Sequence, residues 1–221
     1  MSYVPLKITF RMETPVALGF PWISFDGLVL HVLLRESLGE KYYYLPTKTP
    51  IEYIIKKLDV PMIHDPPLKK WRDLYVASVS IINGQPFVFH YFKRGDFRFP
   101  SGKIRRGSGF FKDFYLKITY VPVREVVFYA TGDPRELARI LGKVKALGKD
   151  RNIGFGFIKE ARIEEVDYEA GLVWNNKCMR PIPVEYLKEY EDAAYLAYRP
   201  PYWDKRNIKL CGVPFTKCVL K

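Results

Sequence analysis

Apolar Leu6, Ile8, Phe10 and Met12 alternate with polar Lys7, Thr9, Arg11 and Glu13 in "PLKITFRMETPV", and that period of two predicts a half-buried strand. In "FDGLVLHVLLRESLGE" the period lengthens: Leu28, Val32 and Leu33 or Leu34 recur at helical spacing, Ser24 or Asp26 can cap the start, and Gly39 can end it. Prolines 46, 50, 61, 66 and 67 then break residues 42–67 into pieces, of which only "IEYIIKKL" reads as helical, so an insertion or long connection is expected near 42–70. "LYVASVSIING" reads as a strand ending at Asn83-Gly84, with "QPFVFHYFKR" as its hairpin partner. "FYLKITYVP" and "REVVFYATG" add two more strands. "DPRELARILGKVKAL" is a helix with Asp133 at the cap, Pro134 in the first turn and a stripe of Leu137, Ile140, Leu141 and Val144. "FGFIKEARIEEVDYE" closes the series as a strand.

Strand, helix and strand thus occur twice, the order of an α+β, ferredoxin-like or RRM-like domain in which two helices cover one face of an antiparallel sheet. The domain is expected over residues 1–170. Residues 171–221, rich in Pro, Tyr and Lys, are expected to form a mostly irregular C-terminal extension packed on the core, with a short helix at "VEYLKEYEDA".

Two segments fit neither strand nor helix. Between the third and fourth predicted strands, Lys93, Arg94, Arg98, Lys103, Arg105, Arg106 and Lys112 stand against the single acid Asp96, interleaved with glycines and aromatics, which predicts a projecting basic arm near 93–112. After the second helix, "LGKDRNIGFGFI" spends Gly148, Gly154 and Gly156 where backbone needs unusual dihedrals or close approach. Glycine-rich turns hold phosphates on backbone N–H groups, and Lys149 and Arg151 are placed to add charge-assisted bonds. The alternative is a connection whose glycines only permit close packing of helix on sheet. The loop follows a helix and lacks GxxxxGK[ST] order, so it is no mononucleotide loop, and the dinucleotide fingerprint fails likewise.

Charge directs this toward a polyanion. With 36 Lys+Arg against 24 Asp+Glu the net charge is +12, favouring nucleic acid through steering and counterion release. Aromatics make up 16% of the chain, and bases stack on exposed rings. The three cysteines, Cys178, Cys211 and Cys218, form no CxxC pair and are odd in number, which fits a reducing cytoplasm. Their spacing to His31, His64 and His90 resembles no structural zinc module, so neither metal nor cofactor is expected. No apolar run is long enough to span a bilayer, and no signal peptide is read at the N-terminus.

The glycine loop after its helix resembles that of the RAMP superfamily, the RRM-fold proteins of CRISPR systems that bind or cut CRISPR RNA. "PLKITFRMETPVAL", "ISFDGLVLHVLL", "KIRRGSGFFKDFYLKI", "YATGDPRELARIL" and "RPPYWDKRNIKLCGVPF" follow one another as in the small RAMP subunit of type IV CRISPR effector complexes, counterpart of the type I subunit that caps the 5′ handle of the guide. The resemblance implies that Gly148, Lys149, Arg151, Asn152, Gly154, Phe155 and Gly156 lie against RNA. It implies too that Lys103, Arg105, Arg106, Gly107, Ser108, Gly109 and Lys112, continuing from Lys93, Arg94 and Arg98, form the hairpin separating handle from spacer. The implied partners are CRISPR RNA, a filament-forming RAMP subunit, the large subunit of the complex and target nucleic acid.

Two other function classes compete with a non-catalytic RNA-binding subunit. A RAMP endoribonuclease needs a base for the 2′-OH, for which His31 is the best candidate, although a satisfied helix histidine is the commoner outcome. A free-standing RRM protein predicts an aromatic octapeptide on a central strand, which the chain lacks.

Overall fold

A computed structural model describes residues 3–44, 65–93, 107–108 and 112–221. The helical reading of "IEYIIKKL" falls outside them. The described chain is α+β, with two α-helices and antiparallel sheets.

The strand β1 (Val4–Met12) is the centre of a three-stranded sheet, flanked by β7 (Glu125–Gly132) and β8 (Ile158–Glu165), both antiparallel to it. Its alternation falls as the sequence predicts: Leu6, Ile8, Phe10 and Met12 are buried while Arg11 is exposed. Those side chains pack on Phe128, on Phe25, Val29 and Val32 of α1 (Phe25–Leu38), and on Leu137, Ile140 and Leu141 of α2 (Pro134–Leu141). The buried stripe of α1 therefore runs through Phe25, Val29 and Val32, and Leu28 lies at its margin. Gly39 ends α1 at φ +54°, a conformation open to glycine, and a 3-10 turn (Gly39–Tyr44) follows. Asp133 caps α2 through the N–H groups of Arg135 and Glu136.

The sequence reading fails at the predicted hairpin. The short strands β3 (Lys70–Trp71) and β4 (Leu74–Tyr75) pair with each other, and residues 76–82 continue as an irregular segment beside β7, buried over 76–80 and bridging Ala77 to Ala130 and Ile81 to Val127. Its N–H groups are spent on Tyr129 (from Ser78), Met179 (from Val79) and Ile23 (from Ser80), so no ladder is left for the next strand. That strand, β5 (Phe87–Lys93), pairs instead with β6 (Phe114–Val121), and β6 pairs with β2 (Val16–Ala17).

The C-terminal extension is not irregular. It forms β9 (Val173–Trp174), β10 (Lys177–Cys178), β11 (Ile182–Pro183), β12 (Leu187–Tyr190), β13 (Ala193–Ala197), β14 (Ile208–Gly212) and β15 (Cys218–Leu220). The expected helix at "VEYLKEYEDA" is a single 3-10 turn (Val184–Tyr186) running into β12, because Tyr190 and Leu187 join the ladder to β15. A second core of Leu74, Val76, Leu172, Ile182, Leu187 and Tyr198 lies beneath these strands. Cys178 and Cys218 form a disulfide within it, with Cα atoms 5.7 Å apart, which departs from the reduced thiols expected of a reducing cytoplasm. Cys211 alone stays free, and burial pushes its thiol up to about 12.

One polar clamp joins the two cores and another braces the second. Arg180, fully buried, donates to the carbonyls of Tyr75 (2.6 Å), Ala77 (3.1 Å) and Tyr198 (2.8 Å), to Asp26 Oδ2 (3.0 Å) and to the Tyr202 hydroxyl (2.9 Å). Tyr202 in turn donates to Asp26 Oδ1 at 2.6 Å, so Asp26 serves as a buried counter-ion rather than the helix cap. In the second clamp Asp73 accepts from Tyr186, Tyr198 and Arg199. The "RPPYW" stretch is thus largely a fastening, Arg199 and Tyr202 reaching back to Asp73 and Asp26.

Candidate nucleic-acid interface

The glycine loop and the β5–β6 hairpin, separate in sequence, meet on one surface. Lys149 N–H donates to the Ala17 carbonyl (2.8 Å), Gly156 N–H to Pro15 (2.7 Å) and Phe157 N–H to Thr14 Oγ1 (2.8 Å), which stitches the loop along the connection from β1 to β2. Because β2 is also the neighbour of β6, the loop becomes a continuation of the β5–β6 hairpin.

Phe155 completes the join, its ring 5.5 Å from Tyr120 and 6.1 Å from Phe89. From there the rings run outward along one hairpin face: Phe87 is stacked by Tyr120, Phe89 by Tyr91, and Tyr91 lies 5.7 Å from Phe114. Lys93 Nζ sits over the Phe114 ring at 5.7 Å. The opposite face carries Val88, His90, Phe92, Tyr115 and the exposed Lys117, with the Tyr115 ring against both His90 and Phe92. Phe92 is 69% exposed and Phe87 52%, so this hairpin holds its rings in solvent on both sides instead of burying one face.

The loop's glycines divide by cause. Gly148 and Gly156 combine positive φ with contact: a Cβ there would collide with the carbonyl of Ala17 or of Leu147. Gly154 has φ +103° and open space where a Cβ would stand. The packing explanation therefore holds for the outer two, and Gly154 is left for dihedral freedom at an exposed turn. Gly156→Ala is expected to cost at least about 3 kcal/mol, since strain and overlap add, against about 1 kcal/mol for Gly154→Ala, which meets strain alone. Thermal melts of the two variants check this; equal losses would mean that the close approach at Gly156 is absorbed by the chain.

Between these turns, Arg151 begins a 3-10 turn (Arg151–Ile153), and Arg151, Asn152 and Lys149 are exposed. Arg94, Arg98, Lys103, Arg105, Arg106 and Gly109 lie outside the described residues; Gly107, Ser108 and Lys112 are described and exposed. His31, half-buried on α1, has Nδ1 3.3 Å from the Tyr42 hydroxyl. Burial, then the charges of Arg151 and Arg35, push its pKa below the ordinary imidazole value, so it is neutral at pH 7. Sequence reasoning missed Phe87, Phe89, Tyr91, Tyr115 and Tyr120 as surface residues. Their signal is that "FVFHYFK" is apolar or aromatic at both parities, which reads as burial although its rings are exposed among the described residues. No cluster of His, Cys, Asp and Glu suited to a metal occurs among the described residues. Among them no helix is long and apolar enough to cross a membrane.

Residues 69–214, well over half of the chain, match the family model described as CRISPR type IV associated protein Csf3. The chain belongs to this Csf3 family. The match supports the resemblance to a type IV RAMP-like subunit. It covers β5, β6, the glycine loop and most of the C-terminal strands. No curated protein matches the chain.

Proposed function

We propose that this Csf3-family chain is a non-catalytic RNA-binding subunit of a type IV CRISPR ribonucleoprotein, capping the 5′ handle of the guide. In this reading it also contacts the filament-forming subunit and the large subunit. One observation carries it: the glycine loop and the aromatic, basic hairpin form one continuous surface, joined through Phe155 and β2. Backbone phosphates meet Lys149, Arg151 and the arm, and unpaired bases stack on the exposed rings of the hairpin. The domain is read as ferredoxin-like, supported by the β1, α1, β7, α2, β8 order and by a sheet in which β1 lies between β7 and β8 with residues 77–81 outside β7. The protein acts in the cytoplasm, where guide RNA is made.

A second reading, endoribonuclease, is favoured by the neutral His31 beside Tyr42 and near Arg151. It requires His31 to reach a 2′-OH as base, with the Tyr42 hydroxyl, 3.3 Å from its Nδ1, as the candidate acid for the leaving oxygen. Purification from the host followed by sequencing of bound RNA is expected to return repeat-derived 5′ ends. Labelled repeat RNA incubated with the purified protein, without divalent metal, is expected to remain intact with both wild type and His31→Ala. Cleavage by the wild type that His31→Ala abolishes would replace the capping role with the nuclease.

A further inference from the structure

The outer face of the β13–β14 pair inverts the usual pattern of a sheet exposed on one side. Inward, Ala194 and Leu196 lie with Cys211 on the second core. Outward, Tyr195 stands opposite Leu210 and Ala197 opposite Ile208, with Tyr195 77%, Ile208 44% and Leu210 37% exposed. No charged side chain lies on this outer face; Lys209 belongs to the inner parity and is held by Glu185 at 2.8 Å. Among the described residues β13 pairs only with β14, so its other side is a sheet edge. The strand "AAYLA" carries none of the devices that blunt an edge, having no lysine, no proline and no inward charge.

An unblunted edge with an apolar face fits a chain that brings its own backbone donors and acceptors together with apolar side chains. RNA gains no phosphate contact on a cation-free face. A second copy of this protein brings +12 against +12. We propose that the β13 edge is a docking site for an extended strand of a different protein subunit, which adds to the β11–β14–β13 sheet and packs apolar side chains on Tyr195, Leu210 and Ile208. This rests on the reading of the chain as a subunit of a multisubunit ribonucleoprotein.

The test compares amide hydrogen exchange in the free protein and in the reconstituted type IV complex, assembled from its co-expressed subunits and guide. Backbone amides within residues 193–197 are expected to exchange at least about tenfold more slowly in the complex. Tyr195→Lys and Leu210→Lys are expected to lower incorporation by about tenfold or more, with melting temperature and RNA affinity of the free protein unchanged. Unchanged exchange in the complex overturns the proposal, as do variants that incorporate like wild type or β13 protection arising from a dimer of the free protein in sedimentation. A complex that protects β13 around a subunit unable to bind RNA would sink the RNA-binding reading and uphold this docking site.

Discussion

Arg180→Met is expected to lower stability by about 3–5 kcal/mol, roughly a 10 °C fall in melting temperature for a chain of this size, because it leaves the Asp26 carboxylate buried with Tyr202 as its remaining clamp partner. The same change strips the donor from three buried carbonyls, at Tyr75, Ala77 and Tyr198. Burial opposes the Arg180 charge, but Asp26 and Tyr202 outweigh it and raise its pKa, so the guanidinium stays ionised. The double variant Arg180→Met with Asp26→Leu is expected to recover part of the loss, since no charge is then left without its partner. A single-variant loss below about 1 kcal/mol would mean that the two cores hold together by apolar packing and that the clamp is incidental.

This clamp bears on function because it fixes α1 to the segment beneath the C-terminal strands. It could not be read from the sequence. An arginine in "CMRPIP" gives no local sign that it is buried, and its partners lie 154 and 22 residues away. What was legible is what is local: the alternation of β1, the Asp133 cap of α2, the Gly39 stop and the glycine loop each depend on neighbours within a few residues. Strand pairing does not. Asn83-Gly84 signals a turn that would pair β5 with residues 74–84, whereas the segment 76–82 spends its hydrogen bonds on β7 and on Met179. The strands of the extension were missed because most are two to five residues long, too short to show a period.

The candidate interface was half legible. Charge and glycine spacing picked out the arm and the loop, and the loop's Gly148 and Gly156 turn out to be needed for close approach to Ala17 and Leu147. The aromatic rows of β5 and β6 are not legible in the sequence, since apolar-rich strands of 7 and 8 residues ordinarily read as core, and only their exposure among the described residues identifies them as surface. Phe155 joins the two distant segments at the hairpin base, packing on Phe89 and Tyr120 beside the β2–β6 pairing.

If the loop and hairpin hold RNA, phosphate contacts carry the binding. The most direct measurement is the affinity of the purified protein for a single-stranded guide 5′ end across a salt series, for wild type, Lys149→Ala with Arg151→Ala, and Arg105→Ala with Arg106→Ala. With about six phosphates engaged, wild-type affinity is expected to fall by two to three orders of magnitude between about 50 and 200 mM salt. Each double variant is expected to flatten the slope by about 1.4, two contacts at roughly 0.7 each for a single strand. A wild-type slope retained in both variants, or an affinity indifferent to salt, would contradict the placement of RNA on the loop and hairpin.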